Sequence, residues 1–230
     1  MERQPLMSTN DFTPRQLNAD NFADRWQPRP DARSKARGEQ RYPTDELAWP
    51  GLLHGRILRS PFPHAQITGI NVDAARELPG VHAVVTAADI PGDNHYGIVF
   101  RDQPVFCTDR VRYLGEPVAL VAAETEDAAE EALARVAVDY EPLPGVFDPL
   151  EALRPDAPRV HEGGNLVCHW SIRRGDIEAG FAEADEIVER EFRTATIHQG
   201  YIEPHNTTVL WKRDGSITVW VSTQGPFQIR

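Results

Sequence analysis

Cysteine is scarce in this chain of 230 residues: Cys107 and Cys168 stand 61 positions apart, with no Cys-x-x-Cys pair. Its own thiols therefore assemble neither an iron–sulfur cluster nor a zinc site. The pattern fits two ordinary buried thiols without a disulfide, in a reducing compartment. No uncharged apolar run reaches membrane-spanning length and none follows Met1, so neither a membrane span nor a signal peptide is expected, and a cytoplasmic location is. Lysine is reduced to Lys35 and Lys212, and no run of Lys and Arg occurs anywhere. The charge balance is 24 basic against 35 acidic residues, a net −11, and the excess acid all follows residue 50. A nucleic-acid partner, which needs a basic surface to displace counterions from phosphates, is excluded on that ground. Also missing are Gly-x-Gly-x-x-Gly, a Walker loop, His-Glu-x-x-His and Gly-x-Ser-x-Gly, so dinucleotide, nucleoside triphosphate, zincin and serine hydrolase chemistry lack their local signatures.

What remains is a globular composition, 40% hydrophobic and 26% charged, long enough for one or two domains with a real core. Residues 1–45 read as an extended arm, broken by Pro5, Pro14, Pro28, Pro30 and Pro43 and weakly periodic except from Leu17 to Trp26. From there the texture changes. Leu52 to Arg59 and Ala65 to Ile70 read as strands joined by Ser60-Pro61-Phe62-Pro63, and their closeness suggests an antiparallel pair. Asp73 to Leu78 reads as a short helix stopped by Pro79-Gly80, Val81 to Ala87 as a strand, and Val111 to Tyr113 and Pro117 to Ala123 as strands around a turn. Thr125 to Val136 is the clearest helix, with a capping Thr125, an acidic first turn and a stripe of Ala128, Ala129, Ala132, Leu133 and Val136 that must cover a sheet.

Val136 to Tyr140 continues as a strand. A body thus spans 46–150, a proline-rich connector 151–165, and a second part 166–230. In that part Leu166 to Arg173 and Glu186 to Arg193 read as strands, Gly175 to Phe181 as the start of a helix, and Thr207–Trp211 with Ser216–Val221 as a hairpin turning at Asp214-Gly215. The class is α+β. The second part makes a thin core and needs something to pack on.

Few constellations carry chemistry. His198, Glu203 and His205 are the best candidate metal cluster, although Pro204 argues against a common helical face and a structural turn is the commoner reading. Arg56, Arg59 and His64 flank the Ser60–Pro63 turn and could bind an anion; pairing with carboxylates is commoner. Glu116 could act as a general base in a cleft or simply close its turn. No metal ligand set is assigned.

The run His54-Gly-Arg-Ile-Leu-Arg-Ser-Pro-Phe-Pro-His-Ala-Gln-Ile67, with Leu78-Pro-Gly-Val81 and Val84 to Pro91, resembles the a/b hammerhead domain of the xanthine dehydrogenase and aldehyde oxidase family. Asp102-Gln103-Pro104-Val105, Asp109 to Val121, Ala128-Ala129-Glu130 and Val138 to Leu143 follow in the family's order. Arg174-Gly175-Asp176-Ile177, Ala184-Asp185, His198 to His205 and Ser222-Thr223-Gln224 look like the opening of its molybdopterin-binding domain. The resemblance runs from about Asp31 to Arg230, while Glu39-Gln40-Arg41-Tyr42-Pro43 departs from the family's pattern.

The resemblance implies an a/b hammerhead domain at 46–150 and the first, incomplete, β-rich part of the molybdopterin-binding domain at 166–230. It implies a molybdenum hydroxylase that oxidises an electron-poor carbon, as in an aldehyde or N-heterocycle, with water-derived oxygen. The implied cofactor is a molybdopterin-type molybdenum cofactor, in the cytosine dinucleotide form, with iron–sulfur clusters and FAD in partner subunits. Gln224 looks like the family's glutamine whose amide donates to an oxygen ligand of the molybdenum, and Gly225 like a position of close backbone approach. The family's glycine-rich loop and its general-base glutamate have no match in this chain. It is therefore expected to contain no catalytic base, to be inactive alone, and to be completed by a companion chain. The alternative is a non-catalytic hammerhead scaffold without cofactor contact.

Overall fold

The structure, a computed structural model, describes residues 29–42, 45, 49–97, 99–201, 203, 205–225 and 227. Two compact units divide the chain, one of Trp49–Gly200 and one that joins Met1–Ala48 with Tyr201–Arg230.

The first unit is built on two three-stranded antiparallel sheets. In one, β1 (His54–Arg59) and β3 (Val81–Thr86) flank β7 (Pro117–Ala123). The nearly continuous apolar sequence of β7 suits its central place, and Val118, Ala119, Val121 and Ala123 are wholly buried. Helix α3 (Glu126–Arg135) covers this sheet. The Thr125 side chain accepts from the Ala128 N–H at 3.1 Å, Glu126 and Asp127 occupy the positive end of the dipole, and Ala129 and Ala132 form the buried face. Val72, Ala75, Val84, Val121 and Ala123 complete that core, Ala75 from the short helix α2 (Asp73–Arg76).

The other sheet places β2 (Ala65–Asn71) between β6 (Arg110–Val111) and β8 (Ala137–Pro142), over a second core of Ala65, Ile67, Cys107, Val111 and Val118. Two-residue strands β4 (His95–Tyr96) and β5 (Gln103–Pro104) pair on their own. The expected pairing of the strands around Ser60–Pro63 does not form: β1 and β2 lie in different sheets. Pro61 and Pro63 have no N–H for a ladder, and the Ser60 N–H is spent on the Glu116 carbonyl at 3.0 Å, so the chain crosses from one sheet to the other instead of reversing.

Beyond β8, α4 (Pro149–Ala152) starts on Asp148, whose carboxylate accepts from the Leu150 and Glu151 N–H groups, and α5 (Ile177–Glu183) starts on Asp176, which accepts from the Ala179 N–H. The strands expected at 166–173 and 186–193 are absent, and their apolar residues stand in solvent, with Trp170 86% and Ile172 94% exposed. A lone strand has no ladder to join, so the pattern is present without the structure.

In the second unit, β9 (Thr207–Trp211) and β10 (Ile217–Val221) form the expected hairpin, with Trp211 opposite Ile217 and Thr207 opposite Val221. Its turn has Gly215 at φ 84°, where a side chain would be strained, and the Asp214 carboxylate accepts from both the N–H and the hydroxyl of Ser216. Helix α1 (Ala32–Arg37) falls within the stretch expected to be an extended arm. Its six residues lie between Pro30 and a left-handed Gly38, short enough to escape the prolines. The expected periodic stretch from Leu17 to Trp26 lies outside the described residues.

Candidate functional site

Where β10 ends, the chain enters Ser222-Thr223-Gln224-Gly225. The Ser222 N–H extends the hairpin by one longer bond to the Asn206 carbonyl at 3.5 Å, and its hydroxyl donates to the Glu203 carboxylate at 2.8 Å. One residue on, the Thr223 hydroxyl accepts from the Gly225 N–H at 3.1 Å, closing a small turn around Gln224. Gln224 is exposed, and its amide has no hydrogen-bond partner among the described residues. Asn206 Oδ1, at the foot of the same hairpin, is buried and without a partner among the described residues. The turn thus offers an uncommitted neutral donor on a hydrogen-bonded base.

The candidate metal cluster is not assembled. His198 Nδ1 accepts from the Gly200 N–H at 3.0 Å, His205 stacks on Tyr201 with ring centroids 4.8 Å apart, and Glu203 is engaged with Ser222. Among the described residues no three His, Cys, Asp or Glu side chains converge.

The candidate anion residues are likewise committed. Arg56 is held by Glu126 at 2.6 Å and Glu130 at 2.9 Å, a clamp from β1 onto α3 that keeps its guanidinium firmly protonated. Arg59 donates to the Gly115 carbonyl, and His64 is buried with Nδ1 2.7 Å from the Pro144 carbonyl oxygen.

Glu116 proves to be a turn carboxylate. It is 1% exposed, accepts from the Arg112 N–H, and lies 3.9 Å from the Arg112 guanidinium. It also borders a half-open cavity of about 660 Å³ with Gln103, Tyr113 and His161. The same carboxylate acts on Cys107: burial first, and then this negative charge, push the thiol up to about 12. Cys168, expected to be buried, is exposed and accepts from the Trp170 indole N–H at 3.1 Å. It lies in the stretch that forms no strand, which is why it has no core to enter. Both thiols are free.

Sequence reasoning singled out Gln224 as a candidate but gave no sign of the Glu203–Ser222 bond. The two residues are 19 apart in the chain and meet only through the hairpin register, which no local motif announces.

Comparison with known proteins agrees along most of the chain. Residues 37–144 match the family model for the aldehyde oxidase and xanthine dehydrogenase a/b hammerhead domain, and residues 160–230 match that for the molybdopterin cofactor-binding domain. A probable xanthine dehydrogenase subunit of Bacillus subtilis (strain 168) is 43% identical over 202 residues, covering 88% of this chain and 27% of that protein. The nicotinate dehydrogenase large molybdopterin subunit of Eubacterium barkeri is 35% identical over 196 residues, covering 85% and 46% respectively. Among solved structures, reconstituted CO dehydrogenase from Oligotropha carboxidovorans superposes with a TM-score of 0.77 at 32% identity, over 88% of this chain and 28% of that one. The chain therefore spans from about a quarter to about half the length of these relatives. With the hammerhead and cofactor-binding matches in order, and the fold shared at this identity, the chain belongs to the aldehyde oxidase and xanthine dehydrogenase family.

Proposed function

We propose that this chain supplies the hammerhead domain, at 46–150, and the first part of the molybdopterin-binding domain, at 166–230, of an oxidoreductase that hydroxylates an electron-poor carbon of a small molecule such as an aldehyde or N-heterocycle. The observation that carries the reading is the Gln224 amide, exposed and uncommitted at the end of a hairpin inside the segment matched by the molybdopterin cofactor-binding model. The donor set fits such a group. A neutral amide stabilises negative charge on an oxygen without offering a competing acid, and no described carboxylate is hydrogen-bonded to it.

When bound, a molybdenum cofactor supplies the two-electron redox chemistry that no side chain here can perform. The part left to this chain is positioning. Gln224 Nε2 donates toward the cofactor, Gly225 lets the backbone come near it, and the hairpin fixes both. We further propose the cytosine dinucleotide form of the cofactor, partner subunits carrying iron–sulfur clusters and FAD, and a cytoplasmic complex, the last in keeping with two free thiols. Further polypeptide completes the domain and covers the exposed apolar residues from Leu166 to Ile197.

The test is Gln224→Ala in the assembled enzyme. An amide that acts mainly in the transition state predicts a kcat lowered about 10- to 100-fold with KM changed little. Unchanged turnover per molybdenum would favour a scaffold that makes no cofactor contact.

A further inference from the structure

We infer that Glu203 is a positioning residue for Gln224, acting through the Ser222 hydroxyl. This rests on the proposed placement of Gln224 against the cofactor. The geometry is that of a clasp at the open end of a hairpin. The β9–β10 ladder ends at the Thr207–Val221 pair, and outside it the Ser222–Asn206 bond is stretched to 3.5 Å. Backbone pairing alone therefore holds the exit of β10 loosely, two residues before Gln224. The Glu203 carboxylate, four residues before β9, accepts from Ser222 Oγ at 2.8 Å, shorter than the 3.5 Å backbone bond beside it. Downstream the Thr223 hydroxyl is already engaged with the Gly225 N–H, so Gln224 sits between two pinned neighbours.

Such bracketing matters for a group that makes its bond from an exposed position. An unsupported glutamine on a hairpin exit samples many rotamers, and a displacement of about 1 Å costs about 100-fold where geometry is catalytic. A charged acceptor also holds a serine hydroxyl more firmly than a neutral one.

The experiment uses the assembled, molybdenum-loaded enzyme and compares Glu203→Ala, Ser222→Ala, their double variant, Glu203→Gln and Gln224→Ala. Two readouts are taken per bound molybdenum: steady-state kinetics, and the electron paramagnetic resonance spectrum of the Mo(V) state trapped on partial reduction. Glu203→Ala and Ser222→Ala should each lower kcat about tenfold with KM little changed, and should shift the Mo(V) spectrum in the direction that Gln224→Ala does. The double variant should match either single one, because both break the same bond. Glu203→Gln, which keeps an acceptor, should recover most of the loss.

If Glu203→Ala does not fold, Ser222→Ala reads the bond from its other end. A Mo(V) spectrum and kcat unchanged in Ser222→Ala, while Gln224→Ala alters both, would overturn the clasp and leave the placement of Gln224 standing. A spectrum unmoved in Gln224→Ala would overturn the placement and the clasp with it.

Discussion

Residues 54–142 and residues 166–200 both carry strand-like apolar sequence, and they end in opposite states. In the first stretch Val118, Val121 and Ala123 are wholly buried. In the second Trp170, Ile172 and Phe192 are 86%, 94% and 87% exposed. The difference does not lie in side-chain chemistry. β7 has a neighbour on each side and an alanine-faced helix over it, so its backbone groups are paired and its side chains meet others. The later stretch has no neighbouring strand among the described residues, and burial without pairing would strand its N–H and C=O groups. A strand is a property of a sheet, and among the described residues the second stretch has none to join.

The strongest way to break the comparison is to attack the finished half. Val121→Asp puts an unpaired carboxylate at the centre of β7, and should cost more than about 4 kcal/mol and abolish soluble folded protein. Next is Glu116→Ala, which leaves the Arg112 N–H without its buried acceptor; urea melts should show a loss of about 2–3 kcal/mol. If either variant were neutral, the first unit would be far looser than its burial implies.

The exposed stretch is probed by Ile172→Ser. In the isolated chain the change should stay within about 0.5 kcal/mol, because the side chain already faces water. In the assembled enzyme it should cost about 2 kcal/mol if further polypeptide buries Ile172. Equal effects in both states would mean that nothing covers it.

The smallest effect sharpens the contrast between the two thiols. Burial, and then the Glu116 charge, disfavour the Cys107 thiolate in the fold and push the thiol from an ordinary 9.0 up to about 12. The unfolded chain therefore releases this proton first. The stabilisation is fully present below about pH 9 and drains away as the pH climbs toward 12. At neutral pH a maleimide should modify Cys168 rapidly and Cys107 only after denaturation, as read by peptide mass spectrometry.

Local signals carried much of the fold. The capping Thr125 with its alanine stripe gave α3, the continuous apolar run gave β7, and Asp214-Gly215 gave the hairpin. Strand partners were another matter. The turn at Ser60–Pro63 resembles a reversal in sequence and acts as a crossing between sheets, because what decides it is the Glu116 carbonyl, more than fifty positions away. The stretches 166–173 and 186–193 were misread for the same reason, since periodicity reports a face to be buried and not whether a partner is at hand. Gln224 is a candidate through a family resemblance alone. The clasp beneath it was not legible in the sequence, because a contact between residues 19 apart depends on register.

The most direct measurement is the molybdenum content of this polypeptide purified from its native source without dissociating its partners. The account predicts one molybdenum per copy, held in a preparation that also contains the polypeptide completing the cofactor-binding domain. A homogeneous, properly folded preparation of this chain with no further polypeptide and no molybdenum would contradict it.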